Sequence, residues 1–193
     1  MLDERYKYDS YIIRRKVLKV IGASFHIYNP SGGLEFYVNQ KGFKLKEDIR
    51  IFTGEDMSNE ILSIKARNIL DISATYDVYE TATGEKVGAI RRKGLKSIFK
   101  DEWLILDIND NEVGNIKEDS TALALVRRFL ISVIPQTFIG TLENKKVFEF
   151  KQKFNLIVQK IDLDFSFDKE NIFDRRLAIA SAVLLCAIEG RQK

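Results

Sequence analysis

A chain of 193 residues with 45% hydrophobic and 31% charged side chains has material for one substantial core, which excludes a disordered or fibrous protein. The formal net charge of +3 is too small to argue for nucleic acid by itself, and one cysteine excludes an internal disulfide. The N-terminal MLDERYKYDS is charged and lacks the basic-then-apolar order of a signal peptide, so cytoplasmic residence is the expectation.

From Tyr11 onward the chain reads as short strands separated by turn residues. Tyr11–Val20 is β-branched and basic; Ala23–Tyr28 and Leu34–Asn39 then flank the turn set Asn29, Pro30, Ser31, Gly32 and Gly33, a hairpin connection. Ile49–Thr53 and Ile61–Ala66 follow. Thr75–Thr81 and Lys86–Arg92 make a hairpin around Ala82–Glu85, and Trp103–Ile108 pairs with Val113–Lys117 across Asn109–Glu112. Ser120 can cap a helix over Thr121–Ser132, whose Leu123, Leu125, Val126, Phe129 and Leu130 form a stripe against Arg127 and Arg128. Pro135 stops it.

Thr137–Leu142 turns at Glu143, Asn144 and Lys145 into Val147–Lys151, and a long strand begins at Phe154. Its apolar positions change from even (Phe154, Leu156, Val158) to odd (Ile161, Leu163, Phe165, Phe167), so a bulge or break is expected near Gln159 and Lys160. The last element is Leu177–Ile188, LAIASAVLLCAI, with Ser181 its only polar side chain. Asn171 is the expected N-cap, with Asp174 returning the capping-box bond. A helix apolar all round must be enclosed, and this one is only about 18 Å long against a hydrocarbon core of roughly 30 Å. It is a core helix, with Cys186 an inert thiol inside it.

About twelve strands at this spacing, with no linker-like tract, predict a single domain over residues 1–193. The expected fold is mainly β: a closed antiparallel barrel around a central hydrophobic C-terminal helix, with one further short amphipathic helix.

The hairpin YDVYETATGEKVGAIRRKG at Tyr76–Gly94, the following FKDEWLILDINDNEVGNIKED at Phe99–Asp119 and the ending DRRLAIASAVLLCAIEG at Asp174–Gly190 resemble the tubby C-terminal-like superfamily, in its phospholipid-scramblase and LURP-one-related branch. The resemblance implies a twelve-stranded barrel threaded by its C-terminal helix, and membrane phospholipid as ligand class. No lipid-binding residue of tubby domains maps onto this chain.

The residues themselves offer a cation run, Arg91, Arg92, Lys93, Lys96 and Lys100, with no acid among them. Arg14 and Lys16 share one face of the first strand and widen the basic surface if the two runs meet. Such cations suit anionic phospholipid headgroups, with Phe99 and Trp103 as interfacial anchors if exposed. The same surface also suits an acidic protein partner or nucleic acid. Asp162, Asp164 and Asp168 are weak calcium candidates, because acids alternating along one strand face point in parallel rather than converge on an ion. Asp107, Asn109, Asn111 and Glu118 mimic calcium-loop spacing, but Glu112 stands where the loop needs glycine, which marks a hairpin turn. With one histidine, His26, and no nucleophile–base motif, neither catalysis nor a cofactor is expected.

Overall fold

The computed structural model describes residues 3–18, 22–41, 49–67, 74–93, 102–119, 136–153 and 159–189. A 3-10 turn at Glu4–Tyr6 leads into twelve strands. These are β1 (Ser10–Leu18), β2 (Gly22–Tyr28), β3 (Leu34–Lys41), β4 (Ile49–Phe52), β5 (Glu60–Ala66) and β6 (Thr75–Glu80). The second half comprises β7 (Lys86–Arg92), β8 (Glu102–Leu106), β9 (Glu112–Glu118), β10 (Thr137–Leu142), β11 (Lys145–Lys153) and β12 (Gln159–Asp164), before the helix α1 (Arg175–Glu189). Each strand pairs antiparallel with its sequence neighbour, and β1 pairs with β12, so the sheet closes into a barrel. Closure leaves no sheet edge open for pairing with another chain.

Local chemistry sets the hairpins. Gly32 takes φ +88°, and the two-residue β10–β11 turn places Glu143 and Asn144 at φ +47° and +65°, the twist that tight hairpins need. In the β8–β9 turn the Asp107 carboxylate accepts from the Asn109 and Asn111 amides at 2.8 and 2.9 Å. That side chain closes a hairpin rather than a calcium loop. The even-phase half of the expected long strand, Phe154 to Val158, lies outside the described residues; β12 begins at Gln159 and keeps the odd phase, with Ile161 and Leu163 buried. The expected helix at Thr121–Ser132 lies outside the described residues.

Inward-facing residues meet α1. No side chain from Leu177 to Ile188 is more than 7% exposed, and the Ser181 hydroxyl is satisfied by donating to the Leu177 carbonyl at 2.7 Å. The wall is cut to admit the helix: a Cβ added at Gly88 of β7 would lie 3.0 Å from Leu177 Cδ2 and 2.7 Å from the Leu106 carbonyl. The N-cap differs from expectation. Asp174 caps the helix, accepting from the Arg176 amide at 2.9 Å, whereas Asn171 sits in a left-handed turn at φ +51° and binds Arg175 Nη2 at 2.7 Å. The aspartate, one residue before the helix, has the reach and the charge for the exposed N–H groups there.

Candidate anion-binding surface

The cations of β7 do not form one face. Arg91 points outward and its guanidinium meets Glu112 at 2.5 Å, while Arg92 turns to the barrel interior, 5.8 Å over the Trp103 ring. Lys93 lies 3.1 Å from Glu102, which also takes Lys117 at 3.3 Å. Burial alone would raise the Glu102 carboxyl, but the hydrogen bonds from Lys93 and Lys117 bring it below the usual range. Arg91 and Lys93 are thus matched by acids on β9 and β8. Lys96, Lys100 and Phe99 lie outside the described residues. Trp103 is not an interfacial anchor: it is 1% exposed, an inward residue of β8 packed near Tyr76.

Arg14 lies elsewhere. β1 is six strands from β7 whichever way the ring is followed, so the two basic runs occupy opposite walls. Barrel closure gives Arg14 different neighbours. It stands directly across from Lys160 of β12, and Lys160 directly across from Lys153 of β11. Three cations therefore share one row on the outer wall, with Lys151 two residues before Lys153 on the same strand face. Lys153 pairs with Asp162, whereas Arg14, Lys151 and Lys160 make no ion pair with any described carboxylate. Arg14 instead rests over the Tyr28 ring at 4.9 Å. Lys16 continues β1 opposite Ser24, and its side chain lies outside the described residues.

Like charges directly across from one another weaken a sheet. A row of three carries that cost, and among the described residues only Lys153–Asp162 and the Arg14–Tyr28 contact offset it. It is a surface suited to an external polyanion.

The acids of the terminal strand do not converge. Asp162 meets Lys153 and Asp164 accepts from the Ser166 amide at 2.8 Å, both on the outer face. Asp168 departs from the expected outward alternation, because β12 ends at Asp164 and the chain turns. It is 5% exposed and accepts from the Ile172 and Phe173 amides at 2.9 and 3.1 Å, with Arg175 Nη1 at 3.5 Å. Among the described residues no group of three acid, histidine or cysteine side chains is placed to hold a metal ion. His26 is buried with Nε2 2.7 Å from Glu55, between Tyr28 and Tyr37, and Cys186 is 2% exposed within α1.

A family model described as LURP-one-related (LOR) matches residues 34–191, from β3 to beyond the end of α1. The chain belongs to the LURP-one-related family. No curated protein and no solved structure matches it. In this LURP-one-related barrel Lys153 and Lys160 fall within the matched region, whereas Arg14 precedes it. The row thus joins the family region to the strand that closes it. Sequence reasoning singled out Arg14 and missed Lys153 and Lys160, because their adjacency depends on a strand pair between the two ends of the chain. The available signal was weak: three lysines at outward positions on either side of the expected break.

Proposed function

We propose that this LURP-one-related barrel is a non-enzymatic module that binds anionic phospholipid headgroups at a membrane surface, peripheral to the cytoplasmic leaflet. The observation that carries the reading is the outer row Lys153, Lys160 and Arg14, three cations in register with one acid between them. Cations close to an anionic bilayer contribute about 1 kcal/mol each, and the attraction fades with salt. Family membership supports the ligand class, through the resemblance of this family to tubby-like and scramblase barrels. The buried positions of His26 and Cys186 support a binding role over a catalytic one. No helix among the described residues is long and apolar enough to cross a membrane, and α1 fills the core, so the reading is of a surface module rather than a lipid-flipping path.

The test is co-sedimentation with phosphatidylcholine vesicles with and without phosphatidylserine, beside duplex DNA at equal phosphate charge. The reading expects salt-sensitive binding to the anionic vesicles in preference to DNA. Equal or stronger retention on DNA would make this a nucleic-acid face instead, and no binding to anionic vesicles would end the lipid reading.

A further inference from the structure

The connection from β12 to α1 is the one described segment that shows two large apolar side chains to solvent, Phe167 at 43% and Ile172 at 47% exposure. Met57 and Ile108, the other exposed ones, stand singly on separate hairpins. The segment is held in shape from within. The Asp168 amide donates to the Phe165 carbonyl at 2.9 Å, the Asn171 amide to the Asp168 carbonyl at 3.1 Å, and the Asp168 carboxylate receives two further amides. The charge of Asp168 is thereby turned inward, toward Arg175. Phe167 and Ile172 are left on a rigid tip, and open clefts of about 220 and 500 Å³ lie on either side of Ile172.

Cations border this tip. The Lys146 ammonium sits 3.6 Å from the Phe167 ring centroid, and Lys145 and Lys169 line the same cleft. Lys145 and Lys146 open β11, the strand that carries Lys151 and Lys153 at its other end. The tip and the cationic row therefore lie along the same wall. Glu149, Asp162 and Asp164 stand between them, fewer than the cations of that wall, so its sign suits an anionic surface. Three lysines border Phe167 and Ile172 against one outward acid of the same cleft, Glu170, and Lys146 also meets Glu149 at 2.6 Å. An aromatic and an aliphatic side chain in such a border match the boundary of a bilayer, where apolar groups enter the acyl region and ammonium groups stay at the phosphates.

We infer that Phe167 and Ile172 form an insertion tip that enters the acyl region of an anionic bilayer while the Lys153–Lys160–Arg14 row holds the headgroups. The inference rests on the headgroup reading above and adds the depth and orientation of binding. Headgroup attraction alone would leave every side chain in water, whereas the tip buries two.

The probe is a vesicle of mixed phosphatidylcholine and phosphatidylserine, with and without bromine in the acyl chains. Phe167→Trp places a reporter on the tip. Trp103, at 1% exposure, supplies a constant background. The new tryptophan should shift to shorter emission wavelength on binding and be quenched by brominated chains. Phe167→Ser with Ile172→Ser should weaken vesicle binding roughly 10- to 100-fold, from the apolar area no longer withdrawn from water, and leave the remainder wholly salt-sensitive. A thermal melt of the double variant shows that the barrel is intact; if the melt falls, the tryptophan result decides. Binding with no blue shift and no quenching would overturn the tip and leave the headgroup reading standing. No binding to these vesicles by the unaltered protein would overturn both.

Discussion

Arg14 faces a lysine across one strand boundary, and that lysine faces another across the next. Relieving such a contact should help the fold or leave it alone. Lys160→Gln is therefore expected to keep or raise the thermal midpoint, by the equivalent of about 0.2–1 kcal/mol, while weakening binding to anionic vesicles. A clear loss of stability would show that the row is structural. Asp110 gives the opposite case. Arg67 at 2.5 Å and Lys86 at 2.6 Å draw its carboxyl down from 3.8 to about 2. A carboxylate depressed on folding contributes stability above its unfolded value, and that contribution disappears as pH falls through the folded one. The midpoint gap between wild type and Asp110→Asn should thus be full above about pH 4 and close on approach to pH 2. A gap unchanged to pH 2 would contradict the ion cluster. Alternation along β1 sets Arg14 outward, opposite in phase to buried Tyr11 and Ile13. The direction of Trp103 and Arg92 was not legible in the sequence, because it follows from the phase of β7 against β8, which pairs the two residues on the inner face.

The elements were the most legible part. Gly and Asx turns bound each hairpin, and the all-round apolar run from Leu177 marks a core helix before any contact is known. Its start was less legible, since both Asn171 and Asp174 have capping side chains and only the left-handed turn at Asn171 decides between them. Burying Leu177, Ile179, Val183, Leu184, Leu185 and Ile188 supplies roughly 9–18 kcal/mol gross, comparable with or above the ~5–15 kcal/mol net stability of a domain. Truncation after Asp168 should abolish cooperative unfolding in calorimetry and resistance to protease. A soluble, cooperatively melting product would show a barrel independent of α1. On the wall, Gly140→Ala puts a Cβ 2.1 Å from the Phe148 ring, and the repacking should lower stability by about 1–3 kcal/mol in denaturant titration. An unchanged midpoint would mean that the ring moves aside freely.

At the scale of the whole molecule, barrel closure sorts the charges. It sets β1 beside β12 and opposite β7, which separates two basic runs that look alike in sequence. One wall matches Arg91 and Lys93 with Glu112 and Glu102; the other stacks Arg14, Lys160 and Lys153, of which Lys153 alone makes an ion pair among the described residues, with Asp162. Composition and periodicity reach the twelve-stranded count but carry no information about which strands meet at the seam. The central claim is that the seam wall, not the β7 wall, holds the anionic surface. Its most direct measurement is vesicle co-sedimentation at low salt of two variants, Arg14→Gln/Lys153→Gln/Lys160→Gln and Arg91→Gln/Lys93→Gln, each checked by a thermal melt. The account predicts that the seam variant loses several kcal/mol of binding, at about 1 kcal/mol per charge, with its melt intact, and that the β7 variant binds nearly as wild type. Full binding by the seam variant, with loss confined to the β7 variant, would contradict it.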